Sequence, residues 1–449
     1  MFSIPEMLLL IGVLFVVVFS GAHIAVALGI TAALGIYFMH GDIEIVRTFV
    51  ANTAYEALRD YVFAVIPLFM LMGEFLAKCG AASDLYTLIN RLTTRVPGRL
   101  AVATVLANAV FAFVTGVSIA AAAAFSRIAY PEMKRHGYDR KFAVGCIAGS
   151  ACLGMLIPPS VLMIVWGILT EQSIGQLFIA GIIPGFLLSG AFVIYILGVA
   201  LLRPERVGGA RRGVDGEPGA APRLPVLADR GFLQILAGTL LVIVLVLGVL
   251  AGIWLGAFTP TEGAGVGAAA ALVLAVIKGL RWREIFEVIL SVGRTSAPIL
   301  LLLFCAQLYA RVLSMTGITG AAKALFLQPG VEPWMILGVM VLIWVVLGCI
   351  IDSISILLIT VPVFAPIAGA LGMDPLAFAI IGILAVETGL LTPPFGILVF
   401  TVKAALPDEG IGVGQMFRGA VPYWIALMVV IVSIAVFPGI ATWLPNLGR

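Results

Sequence analysis

Charge is what this chain has least of. Of 449 residues only 11% are Asp, Glu, Lys or Arg, while 62% are hydrophobic, and the mean hydropathy is +1.17. A soluble domain carries roughly 25% charged residues, so an ordinary polar surface is excluded. The five cysteines, Cys79, Cys146, Cys152, Cys305 and Cys349, all fall in apolar segments. None forms a CxxC pair or has a histidine at metal-ligand spacing, so small buried hydrophobes are expected rather than a disulfide framework. Only three histidines occur, His23, His40 and His136, and none has a partner pattern. GxxxxGK[ST] and HExxH are both absent, which leaves no built-in nucleotide hydrolysis or zincin chemistry. No basic residue precedes the first apolar stretch, whose early charge is Glu6. Hydrophobicity also runs straight through Ala25-Val26-Ala27, so the first helix is expected to be retained. Net charge is only +3, and no nucleic-acid partner is expected.

What is present is apolar sequence in lengths that suit a bilayer. Phe178 to Leu202, Phe232 to Leu255 and Val421 to Leu444 are examples, each near or above the ~20 residues a spanning helix needs. In lipid, helices or closed barrels alone satisfy the backbone, and the ten-residue alternation of barrel strands is missing. The fold class expected is an all-α polytopic membrane protein.

One segment, 203–230, is rich in Arg, Gly and Pro. Its arginines place it in the cytoplasm as a flexible linker. It divides the chain into a first half, 1–202, and a second, 231–449. The first half predicts helices near 5–20, 24–39 and 61–79, an amphipathic stretch near 81–95, a segment 100–130, a long segment 141–170 and a helix 176–202. The second predicts helices near 232–256, 261–278 and 295–314, a weaker amphipathic stretch, a segment 333–366, a long segment 375–403 and a helix 419–443.

Arg91, Arg95 and Arg99 precede segment 100–130, and Arg127, Lys134, Arg135, Arg140 and Lys141 lie at or after its end. Both flanks are therefore expected on the cytoplasmic side, which requires a re-entrant hairpin with its tip near Thr115-Gly116-Val117-Ser118. Segment 333–366 has no such flanks, and its tip falls near Ile351-Asp352-Ser353 with the mouth on the other side. Two hairpins opening oppositely are what inverted repeats produce. Arg47, Arg59 and Lys323 fall on the expected periplasmic side, so the charge rule is a bias here. A shift of 235 residues tests the repeat. Without a gap it superposes Ser118 on Ser353, Pro131 on Pro366, Gly137 on Gly372, Asp139 on Asp374, Gly154 on Gly389, Leu156 on Leu391, Pro158 on Pro393 and Pro159 on Pro394. Each repeat is thus expected to hold about five spanning helices, one hairpin and a broken helix after it.

Tandem prolines inside a spanning helix remove donors and clash with the preceding turn. Gly154-Met155-Leu156-Ile157-Pro158-Pro159-Ser160 and Gly389-Leu390-Leu391-Thr392-Pro393-Pro394-Phe395-Gly396 are expected breaks near the midplane. Irregular backbone at that depth is tolerated where it is buried in protein or lines a cavity. Freed carbonyls there can face a cation, and half-helix N-termini an anion.

The paired tips (Thr115 to Ser118 and Asp352-Ser353-Ile354-Ser355), the Pro-Pro breaks and Phe258-Thr259-Pro260-Thr261-Glu262-Gly263-Ala264-Gly265 resemble the large membrane subunit of tripartite ATP-independent periplasmic (TRAP) transporters. The resemblance covers the chain outside 203–230. It implies an elevator-type symporter in the bacterial inner membrane that imports an organic acid delivered by a periplasmic binding protein. It also implies a small four-helix membrane subunit, expected as a separate chain, and no cofactor beyond sodium as the coupling ion. Sodium is then expected where tip meets break. One site would be held by Thr115, Gly116, Ser118, Gly154, Pro158 and Pro159, the other by Asp352, Ser353, Ser355, Gly389, Thr392 and Pro393. The substrate carboxylate is expected between them, near Ser118, Ser160, Ser353, Thr392 and Gly396, facing the half-helix N-termini after Ser118, Pro159 and Pro394.

Ionisable residues at membrane depth cost roughly 2.5–3.5 kcal/mol on the insertion scale. Asp352 is either functional or a helix cap; Glu387 is either functional or bound to nearby backbone. Glu262, behind Thr259, fits helix-start chemistry. Glu74 and Arg311 are expected in the scaffold or at an interface. Rival classes are weaker. Gly116-Val117-Ser118-Ile119-Ala120 loosely resembles a serine-nucleophile motif but has no base nearby. Asp139 and Asp374 fall on opposite faces and cannot share a proton. Two hairpins meeting at the midplane favour occlusion over a channel. A binding-protein-independent sodium or proton carboxylate symporter is the nearest alternative.

Overall fold

The computed structural model describes residues 2–208, 232–327 and 330–447. Most of the expected linker therefore lies outside the described residues. The first half runs α1 (Ile4–Phe19), α2 (Ile24–His40), α3 (Ile43–Arg59), α4 (Val65–Lys78), α5 (Ala81–Leu92), α6 (Arg99–Thr115), α7 (Ser118–Arg135), α8 (Arg140–Ala151), α9 (Leu153–Leu156), α10 (Val161–Thr170) and α11 (Ile174–Leu202). The second runs α12 (Phe232–Trp254), α13 (Pro260–Ile277), α14 (Trp282–Thr316), α15 (Ile318–Phe326), α16 (Pro333–Gly348), α17 (Ser353–Ala370), α18 (Pro375–Gly389), α19 (Ile397–Ala405), α20 (Val413–Val436) and α21 (Gly439–Asn446). No strand occurs among the described residues.

Eight described segments are long and apolar enough to cross a membrane. One of them, Ser353–Ala370, is instead an arm of the second hairpin. Each half supplies five spanning elements: α1, α2, α4, α8–α10 and α11, then α12, α13, α14, α18–α19 and α20. The hairpins are α6–α7 and α16–α17, whose arms pack on each other.

The 235-residue correspondence is visible in the backbone. Ser118 opens α7 and Ser353 opens α17; Arg140 opens α8 and Pro375 opens α18. Gly137 and Gly372 both turn through the left-handed region, with φ of 73° and 71°. Asp139 accepts from the Phe142 amide at 2.9 Å, and Asp374 from the amides of Leu376 and Ala377 at 2.8 and 3.0 Å. Each aspartate is thus the N-cap of a broken helix, worth about 1 kcal/mol. That role accounts for both carboxylates without an aspartyl dyad.

The halves exchange elements. Half-helix α10 packs on α17 of the other repeat, and α19 packs on α7. Trp166 of α10 meets Trp344 and Phe378 at ring-centroid distances of 6.1 and 5.8 Å. The buried Trp344 indole donates to the Thr360 hydroxyl at 2.8 Å, so its one polar group is satisfied.

Two elements differ from the sequence expectation. Helix α3 was not anticipated, because its charged residues depress hydropathy; it packs against α2 and α14. Helix α14 begins at Trp282, not near 295, and its 35 residues extend about 52 Å, beyond the ~30 Å hydrocarbon core. The extra turns carry exposed charges, among them the Arg283–Glu287 pair at 3.7 Å. They prolong the helix past its apolar stretch.

Candidate functional site

At the first tip, Gly116 adopts φ 61°, a conformation glycine enters without steric cost. A Cβ there would stand 2.3 Å from the Pro159 carbonyl oxygen. The Val161 amide donates to the Gly116 carbonyl at 3.3 Å. Likewise a Cβ on Gly154 would lie 3.1 Å from the Ser118 nitrogen. Tip and break therefore touch backbone to backbone, and Gly154, Pro158, Pro159 and Ser160 are all buried.

The second tip, Cys349 to Asp352, is longer by two residues. Gly389 packs where a Cβ would be 2.5 Å from the Gly348 Cα, and the Leu398 amide reaches across the break to the Leu390 carbonyl at 3.2 Å. Both proline pairs, Pro158-Pro159 and Pro393-Pro394, are cis. Unlike the first break, the second is open: Pro393 and Pro394 are exposed, and Phe395 is 57% exposed.

Between the tips lies Glu387, which is fully buried. The Ser118 hydroxyl donates to its Oε2 at 2.6 Å, and the Ser353 hydroxyl faces Oε1 at 3.4 Å. Cys152 Sγ approaches the Glu387 carbonyl at 3.8 Å, and these two residues are 235 positions apart. They are therefore repeat equivalents that meet each other, as positions beside a two-fold axis must. No described ion pair neutralises Glu387, and a buried carboxylate without one is costly by several kcal/mol.

The remaining sequence candidates take definite places. Asp352 accepts from the Ser355 amide at 3.1 Å, so its carboxylate is the cap of α17. Capping takes one of the Asp352 carboxylate oxygens, while Glu387 touches both tips. Ser355 is buried. Ser160 bonds the Met155 carbonyl and caps α10 through the Met163 amide. Its hydroxyl thus ties the first break to the start of α10 in buried structure. Thr392 donates to the Thr388 carbonyl at 2.8 Å and Thr115 to Phe111 at 3.3 Å. Gly396, φ 41°, opens α19 beside Phe417.

Glu262 and Thr259 form a capping box, with bonds of 2.8 and 3.3 Å. Arg311 donates to the Thr53 hydroxyl at 3.2 Å and pairs with Glu56, tying α14 to α3 as a scaffold residue would. His23 caps α2, and His136 lies 3.3 Å from Arg99. Glu74 lines a cleft of about 370 Å³ that separates Thr115 and Val117 at the first tip from Ser291 and Thr295 on α14. Among the described residues no cluster of three His, Cys, Asp or Glu could hold a metal. Any cation here would meet serine and threonine hydroxyls, backbone carbonyls and one carboxylate, a hard-oxygen set. The central place of Glu387 was left open by sequence reasoning. The signal existed: the same 235-residue shift pairs it with Cys152, two residues before the aligned glycines.

A family model described as the DctM component of the tripartite ATP-independent periplasmic transporter matches residues 11–440. The C4-dicarboxylate TRAP transporter large permease protein DctM of Pseudomonas aeruginosa is 34% identical over 422 residues, 94% of each chain. The sialic acid TRAP transporter large permease protein SiaM of Vibrio cholerae is 27% identical, covering 89% of this chain and 90% of its own. Among solved structures, the Alcanivorax borkumensis YdaH transporter superposes with a TM-score of 0.60 at 16% identity, over 89% of this chain and 90% of that one. At that identity the likeness speaks for the fold.

Proposed function

Since this chain belongs to the DctM-component family of tripartite ATP-independent periplasmic transporters, and is thereby a multi-pass integral membrane protein, we propose that it is the permease subunit through which an organic acid enters the cell by sodium symport. The substrate arrives on a periplasmic binding protein, and a small four-helix membrane subunit accompanies this chain. The substrate class rests on the carboxylate-bearing solutes named for two relatives, C4-dicarboxylates and sialic acid.

The observation that carries the reading is the closure of both hairpin tips on their breaks, with Ser118 and Ser353 meeting at Glu387. Sodium prefers oxygen ligands, and this region gathers freed carbonyls beside hydroxyls. One site lies between Thr115, Gly116, Ser118 and the first break, the other between Ser353, Ser355 and the second. The helix starts at Ser118, Val161 and Ile397 lend partial positive charge to a carboxylate held between the sites. The hairpins open to opposite sides of the membrane and travel with the broken helices against a scaffold containing α4 and α14. The cleft beside Glu74 is the seam between these parts.

Proteoliposomes containing both membrane subunits and supplied with the binding protein test this. An inward sodium gradient should drive accumulation of the organic acid, and only with binding protein present. Equal uptake driven by a proton gradient without sodium, or uptake without the binding protein, would overturn the corresponding half of the proposal.

A further inference from the structure

Glu387 stands where the two repeats join. It is the carboxylate to which both tip serines turn, at 2.6 Å for Ser118 and 3.4 Å for Ser353, and it is fully buried. The titratable groups around it are few. Cys152, from the α8–α9 junction, turns its thiol toward both the backbone carbonyl and the side-chain carboxyl of Glu387. Cys349, at the end of α16, turns its thiol to the Val345 carbonyl, and Asp352 is committed to the Ser355 amide. Tyr423 of α20 lies against Gly149 and Phe192. No described lysine, arginine or histidine pairs with Glu387.

A serine hydroxyl has one hydrogen and two lone pairs. When the hydrogen is given to a carboxyl oxygen, the serine oxygen is polarised. Its lone pairs, turned away from the acid, then become better ligands for a cation. Here one carboxylate does this for two serines on two different hairpins. The bond to the first tip is the shorter of the two. A cation that draws on Ser353 must shift the carboxylate, and the shift is felt at Ser118.

We propose that Glu387 is a positioning residue that couples the two sodium sites, so that occupancy of one changes the affinity of the other. The coupling is reciprocal, as any equilibrium linkage between two sites must be. The idea rests on the sodium-symport reading above and adds to it a residue and a mechanism of interdependence. It also explains why a costly buried carboxylate is placed at the contact of two tips rather than inside either site.

The test is the sodium dependence of uptake in proteoliposomes for wild type and Glu387→Gln, with substrate saturation curves measured at several sodium concentrations. Glutamine keeps the shape and replaces one of the two acceptor oxygens by an amide donor, so it cannot accept from both serines. Expected is a wild-type Hill coefficient clearly above about 1 that falls to about 1 in the variant, with half-activation raised about 5-fold or more, the range of typical site-to-site coupling. The deficit should shrink as sodium is raised. A merely structural role would lower uptake equally at every sodium concentration, and that outcome overturns the proposal. So does an unchanged sodium curve in a sodium-dependent wild type. A wild type indifferent to sodium instead removes the symport reading beneath it. If Glu387→Gln fails to insert, Glu387→Asp takes its place: the carboxyl group remains but the reach to both serines does not, so cooperativity should vanish. Retained cooperativity in that variant counts decisively against coupling.

Discussion

The two Pro-Pro breaks descend from one sequence pattern yet occupy different environments. The first is sealed: residues 154–160 are buried throughout, Gly116 presses on Pro159, and the following half-helix is pinned by Trp166 against Trp344 and Phe378. The second carries exposed Pro393, Pro394 and Phe395, and its half-helix is held by the more modest Phe400–Phe417 pair at 6.4 Å. Equivalent backbones thus sit in one enclosed and one exposed environment within a single conformation.

The largest expected effect comes from making the glycines that pack at the two breaks, Gly116 of the first tip and Gly396 of the second break, less permissive. Gly116→Ala forces a left-handed alanine, costing about 1–2 kcal/mol, and drives its Cβ into backbone at Pro159. Uptake should be abolished and the melting temperature lowered. Gly396→Ala meets mainly the ring edge of Phe417, so its loss should be smaller; equal losses would contradict the sealed-versus-open contrast. Next in size is accessibility. A cysteine replacing Phe395 should react with a water-soluble maleimide, while one replacing Ile157, 4% exposed, should stay protected. Similar labelling at both positions would erase the comparison. The smallest effect is at the hairpin mouths. Lys134 on α7 reaches Glu409 of the other half at 2.7 Å, whereas the position 235 residues on is Gly369, which can form no such tie. The hydrogen bond from Lys134 holds the Glu409 carboxyl below the usual carboxylate range, against a smaller opposing effect of burial. A depressed carboxyl adds stability above its unfolded value, about 4.3, and that stability is lost as pH falls through the depressed one. Lys134→Met should therefore lower thermal stability by at most about 1 kcal/mol at neutral pH, as for a partly exposed pair. Its melting curve should converge with wild type in acid.

Much of the fold was legible because membrane insertion leaves a coarse signature. Spanning lengths and the breaks follow from apolar runs interrupted by Pro-Pro, the first hairpin from the basic residues on both its flanks, and the 235-residue shift placed Asp139, Asp374 and the tip serines in register. What escaped was whatever hydropathy hides. Helix α3 and the first turns of α14 carry enough charge, such as Arg47, Glu56, Arg283 and Glu287, to look like loops. Among candidate site residues, the tips and breaks come together, and local capping adds a role that the sequence pattern does not display. Asp352 and Ser160 look like ligands in sequence and serve as caps in the fold. The meeting of Ser118 with Glu387 spans 269 residues and leaves no local trace.

The encounter of Cys152 with Glu387 bears on how such a chain can arise. Immediately after a gene duplication both positions hold the same residue, and near a symmetry axis that residue faces its own copy. Two glutamates there would set like charges side by side in a dry interior, which strongly disfavours ionising both. Two cysteines would leave the tips without an acid. Neither uniform pair would have what the present molecule has, one acid reached by both tip serines beside one neutral thiol.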